Sequence, residues 1–126
     1  ASPDLFKRNR IGDIRIANAV YDTEHIRQSL LNLVTNAIKY AGLKAVFIDV
    51  EEERLNIDLK LLRNAISPRT RAIVITHNFG ITCEYIDEIK RDFPEVVIIE
   101  DSAHTFGSKS RDGQMAGTIG DASFHC

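Results

Sequence analysis

From Lys44 to Phe93, short apolar runs alternate with segments whose apolar residues recur every three or four positions. Ala45-Val46-Phe47-Ile48, followed by an acid, predicts a strand within residues 44–50, and Ala72-Ile73-Val74-Ile75-Thr76 predicts a second. Val96-Val97-Ile98-Ile99 predicts a third. Between them, residues 58–66 predict a helix capped by Asp58 and stopped by Ser67-Pro68, and residues 84–93 an amphipathic helix ended by Pro94. Upstream, Ile26, Leu30, Leu33, Val34, Ala37 and Ile38 keep helical spacing over residues 23–40, the longest predicted helix, with Asp22 or Thr23 as N-cap and Gly42 past its end. Strands alternating with helices of this length imply an α/β fold, a mostly parallel sheet flanked by helices and joined by right-handed crossovers. After the third strand, Gly107, Asp112-Gly113, Gly117 and Gly120 break the pattern into turns around a small hairpin, and residues 122–126 start a further strand. Ile11, Ile14, Ile16 and Val20 fit a strand or a loose helix equally, so no element is assigned to the first 22 residues.

A chain of 126 residues with 44% hydrophobic and 27% charged residues has room for one globular domain with a real core. Its net charge of -2 provides no electrostatic footprint for nucleic acid or an anionic membrane. Cys83 and Cys126 lie far apart without a C-x-x-C or Cys/His spacing, so no zinc site or disulfide framework is expected, and a reduced, cytoplasmic setting is. No run approaches the ~18 apolar residues of a membrane span, and Ala1-Ser2-Pro3-Asp4-Leu5-Phe6-Lys7-Arg8 lacks the apolar core of a signal peptide.

The candidate chemistry sits in Val97-Ile98-Ile99-Glu100-Asp101-Ser102-Ala103-His104, where a buried-strand pattern delivers acids and then a histidine to the strand's carboxyl end. Ligands of open α/β sheets bind there. Each residue also has a structural reading: Asp101 as a cap or turn residue, His104 as a satisfied histidine, His77 as site lining or as a backbone partner. Asp121, after Gly120, reads as a loop brace rather than a catalytic acid.

Several motifs occur together: residues 41–50 (AGLKAVFIDV), Leu55-Asn56-Ile57-Asp58, Ile66-Ser67-Pro68-Arg69-Thr70-Arg71-Ala72-Ile73, the His77 to Gly80 turn, Glu100-Asp101, and Gly117-Thr118-Ile119-Gly120-Asp121. In this order, over residues 36–126, the chain resembles the DegT/StrS sugar aminotransferases, pyridoxal-phosphate (PLP) enzymes of sugar biosynthesis with the aspartate-aminotransferase fold. The resemblance implies part of the large domain of a fold-type-I enzyme, with PLP as cofactor. Asp101 would pair with the pyridine nitrogen and His104 would contact the ring; amino transfer would run from an amino acid to a nucleotide-linked keto-sugar, in a homodimer. It also implies no catalytic residue within this chain. The Schiff-base lysine is expected beyond Cys126, and Cys126 falls near a serine that helps hold the phosphate. The phosphate-binding turn should precede Asn36, yet nothing in residues 1–35 matches it. Lys109, the only lysine after Asp101, lies in a turn-rich segment that reads as a solvated hairpin tip. The expectation is a cofactor-binding middle that does not turn over alone, so whether this chain is itself an enzyme stays open.

Residues 24–40 carry a competing pattern, similar to the N box of histidine-kinase ATPase domains. On a helix, Asn32, Asn36 and Lys39 share one face able to meet magnesium and phosphate. That site also needs glycine boxes, and no Gly-x-Gly occurs in the chain. The expected organisation is a single α/β domain over residues 1–126, with 36–126 aminotransferase-like and 1–35 unassigned and of the same or a different origin. A non-catalytic, engineered or chimeric α/β scaffold is the alternative, and an ATP-binding fragment the weaker one.

Overall fold

The computed structural model describes residues 13–17 and 36–125. Five strands form one sheet: β1 (Asp13–Ala17), β2 (Lys44–Ile48), β3 (Thr70–Thr76), β4 (Val97–Asp101) and β5 (Ala122–Phe124), in the order β2-β1-β3-β4-β5. Every pairing is parallel, so the expected mostly parallel sheet is wholly parallel among the described strands. The unassigned first segment supplies β1, which lies between β2 and β3. Residues 36–40 are the described end of the predicted long helix; the rest of that helix lies outside the described residues. The helix stops in a Schellman arrangement, with Leu43 N–H donating to the Ile38 carbonyl and Gly42 N–H to that of Lys39.

Helix α1 (Leu59–Ala65) starts where expected, with the Asp58 carboxylate accepting from Leu61 N–H at 3.0 Å, and ends at Ile66. Helix α2 (Ile86–Asp92) buries Ile86 and Ile89. Arg63 of α1 reaches Glu88 and Asp92 of α2, tying the two helices along their exposed side.

The two-residue period of the pleat sorts the core. Ile73, Ile75 and Ile98 point to the face covered by Leu62, Ile86 and Ile89, in a cluster that also takes in Ile48, Ile57 and Ile119. Ala72, Val74 and Val97 point to the other face, with Ile38 and Leu43. β3 is thus buried on both sides, which is why it reads as an unbroken apolar run.

Two predicted boundaries move. β3 begins at Thr70 instead of Ala72, because Thr70 is buried and its hydroxyl accepts from Ser67 N–H. β4 runs on to Asp101, past the last apolar residue, because both acids at its end are buried. The predicted hairpin after β4 is reduced to one bridge, Lys109 with Met115.

Candidate active site at the carboxyl end of the sheet

Consecutive acids at the end of β4 leave the strand on opposite faces. Asp101 shares the parity of Val97 and Ile99, and Glu100 that of Ile98. β3 continues the same division: Thr76 meets Asp101, and His77, just past the strand, meets Glu100.

Asp101 is buried and thinly held. Ala103 N–H donates to Oδ1 at 3.2 Å and the Thr76 hydroxyl to Oδ2 at 3.4 Å, both long for a carboxylate. Burial therefore raises its pKa, outweighing those two bonds. A desolvated carboxylate with spare acceptor capacity at a strand's carboxyl end fits a cationic N–H, the group that a protonated pyridine ring presents. His104, three residues on, is exposed at the rim, near enough for its charge to act on Asp101.

Glu100 is the opposite case. Its side chain is wholly enclosed, and its oxygens accept four hydrogen bonds: Gly117 N–H at 2.9 Å and His77 Nε2–H at 2.8 Å on Oε1, Ile119 N–H at 2.8 Å and Gly120 N–H at 2.7 Å on Oε2. Burial alone would raise its pKa, but these bonds pull it down to about 2. Cys83 N–H donates to His77 Nδ1 at 2.9 Å, so Nδ1 is unprotonated and the ring is the Nε2–H tautomer. His77 is therefore the loop-bracing partner of a buried carboxylate, the structural one of its two sequence readings.

Asp121 braces as expected: its carboxylate accepts from Ile98 N–H and its own N–H donates to the Ile98 carbonyl, both at 2.8 Å. Lys90 of α2 donates to the Ile119 carbonyl, a further tie on the same loop. Lys109 is exposed, as a solvated turn requires. Asn36 and Lys39 are exposed too, while Asn32, Cys126 and the expected place of a phosphate-binding turn lie outside the described residues. Next to Asp101, the buried hydroxyls of Ser102 and Thr105 make no hydrogen bond among the described residues. Cys83 is a buried free thiol, raised by burial to about 12, and so unreactive. Among the described residues no cluster suits a metal ion, and no helix is long and apolar enough to cross a membrane.

Sequence reasoning singled out Asp101 and missed the work of Glu100. The signal was present: in a strand that alternates between two buried faces, two successive acids must fall on different sides.

Comparison with known proteins bears on the fold and the family. GDP-perosamine synthase of Escherichia coli O157:H7 is 37% identical over 90 residues, covering 70% of this chain and 24% of that protein. The structure of an aminotransferase from Psychrobacter cryohalolentis matches with a TM-score of 0.74 at 20% identity, over 97% of this chain and 28% of its own. GDP-4-keto-6-deoxy-D-mannose-3-dehydratase of E coli, solved with bound hydrated PLP, matches with a TM-score of 0.65 at 25% identity, over 90% of this chain and 28% of its own. The chain spans less than a quarter of the length of the curated relatives it matches. These structural neighbours share the fold of which this sheet is a part, the large domain of fold-type-I PLP enzymes. Residues 30–126 match the DegT/DnrJ/EryC1/StrS aminotransferase family throughout, and the chain belongs to that family.

Proposed function

We propose that the described residues form the cofactor-facing edge of a PLP-dependent sugar aminotransferase, with Asp101 as the partner of the ring nitrogen and His104 at the ring. The observation that carries this reading is the burial of Asp101 with two long hydrogen bonds and acceptor capacity to spare. When bound, PLP supplies a protonated pyridine ring that serves as an electron sink. The chain's own part is to keep that nitrogen protonated. Asp101 accepts its N–H, Thr76 and Ala103 N–H fix the carboxylate's direction, and burial excludes the water that would weaken the pair.

The substrates of this reading are an amino-acid donor and a nucleotide-linked keto-sugar; the sugar-nucleotide part is supported by the two relatives above, one named for GDP-perosamine and the other for GDP-4-keto-6-deoxy-D-mannose. It places the working enzyme in the cytoplasm as a homodimer, and treats residues 36–126 as the aminotransferase-like part of one domain. Attachment of the cofactor needs the lysine that the family resemblance places beyond Cys126. Lys109, exposed in the Lys109–Met115 bridge, is not its substitute; a non-catalytic α/β scaffold is the second reading.

The test uses pyridoxine 5′-phosphate, which keeps the ring and phosphate but lacks the aldehyde and so cannot label lysines. Its binding to the wild-type chain is compared with D101N by calorimetry. The expected loss is roughly tenfold to a hundredfold, the worth of a charge-assisted hydrogen bond. Equal affinity in the two proteins would remove Asp101 from the site. Borohydride treatment after incubation with PLP itself should trap no stoichiometric adduct at Lys109.

A further inference from the structure

We infer that the Gly117–Gly120 loop is an anion nest whose resident anion is the protein's own Glu100 carboxylate, and that this internal anion positions the Asp101 site. With the Glu100 side chain removed, the nest takes a free monocarboxylate ion of acetate size.

Three backbone N–H groups, from Gly117, Ile119 and Gly120, converge on two oxygens, the arrangement by which glycine-rich loops elsewhere hold phosphate or carboxylate ligands. Here the ligand comes from inside. The glycines are required by how closely the loop wraps it. A Cβ at Gly120 would lie 2.9 Å from the Ile98 carbonyl oxygen and 3.3 Å from Glu100 Cγ. Gly117 has φ +90°, and a Cβ there would lie 2.8 Å from the His125 ring and 3.1 Å from Ser102 Oγ.

The same carboxylate reaches both flanks of Asp101. On one side it holds His77, the residue after Thr76, whose hydroxyl donates to Asp101; the His77 N–H also donates to the Asp101 carbonyl at 3.1 Å. On the other side it draws Gly117 against Ser102, the residue after Asp101. None of the hydrogen bonds shown for Glu100 goes to Asp101's carboxylate, and its side chain leaves the strand on the opposite face. It is a positioning residue that acts through the two loops bounding the site.

The purpose of this device rests on reading Asp101 as the ring-nitrogen partner; its geometry does not. The experiment is E100A in sodium acetate against sodium chloride at equal ionic strength and neutral pH. Acetate replaces the deleted Cγ and carboxylate atom for atom. Amide exchange at Gly117, Ile119 and Gly120 and the carboxyl carbon signal of Asp101 are followed by NMR. In chloride, exchange at the three amides should rise roughly tenfold or more, and the Asp101 signal should move toward that of a solvated carboxylate. In acetate both should return toward wild type, and G120A, whose carboxylate is still in place, should gain nothing.

If E100A fails to fold in chloride, acetate-dependent refolding becomes the readout, and failure to refold in acetate overturns the inference. So does an Asp101 signal that E100A leaves unchanged, or an exchange pattern that acetate does not restore. Pyridoxine 5′-phosphate separates this from the proposed function. Acetate rescue in a chain whose wild type binds no pyridoxine phosphate keeps the nest and discards the cofactor reading. Wild-type affinity in E100A without acetate does the reverse.

Discussion

Glu100 and Asp101 differ by one position and respond to pH with opposite signs. The folded pKa of Glu100 is depressed, so its contribution is present above the ordinary carboxylate range and is lost as pH falls through about 2. The shift corresponds to stability on the order of 3 kcal/mol. Asp101's folded pKa is raised, so its contribution is complete below the ordinary carboxylate range and is lost as pH rises through the folded value. Urea titrations between about pH 2 and pH 7 should therefore show E100Q destabilised by about 2–4 kcal/mol at neutral pH, with a flatter acid limb. An amide cannot replace an ion here: its NH₂ group would face backbone N–H donors. D101N should keep or gain neutral-pH stability, by up to about 1 kcal/mol, since it removes a desolvated charge. A D101N protein that melts well below wild type would show Asp101 to be a structural residue.

The elements draw on different sources of stability. Helix α1 buries one side chain, Leu62, and depends visibly on its cap. Asp58→Ala should lower the urea midpoint by the equivalent of about 1 kcal/mol at unchanged m-value. Ile75, in the middle of the sheet and fully enclosed, should cost about 2–5 kcal/mol as alanine. Legibility in the sequence follows the same division. α1 was readable to within a residue because Asp58 and Ser67-Pro68 are local signals that act on the nearest backbone. β3 and β4 were readable as runs, yet their ends were not, because Thr70, Glu100 and Asp101 are polar residues buried by partners distant in sequence. β1 was unreadable for another reason: Ile14 and Ile16 alternate over only five residues, and nothing local tells that such a segment will lie between β2 and β3. Of the site, Asp101 could be found from the motif around it. The grip of Glu100 on residues 117–120 could not, since hydropathy treats both acids as the end of the strand.

At the scale of the whole molecule, no two strands that pair among the described residues are joined by a hairpin; each described pairing needs a crossover or a long loop. β3 is the middle strand, with Ala72, Ile73 and Ile75 fully enclosed. Native-state hydrogen exchange should find its amides opening only with global unfolding, and the β5 amides opening earlier in a smaller unit. Comparable protection in the two strands would contradict this order. β5 itself pairs over only three residues, too short a ladder to hold an edge alone. What holds it is a pair of point fastenings just upstream, Asp121 on both backbone groups of Ile98 and Glu100 on the loop. Mechanically the edge behaves like a rivet rather than a zipper. Tension applied to the chain after Phe124 would shear the short ladder first, then concentrate on the ties made by Asp121 and Glu100, so the force to detach this edge would track the ionisation of Glu100 more than the length of the strand.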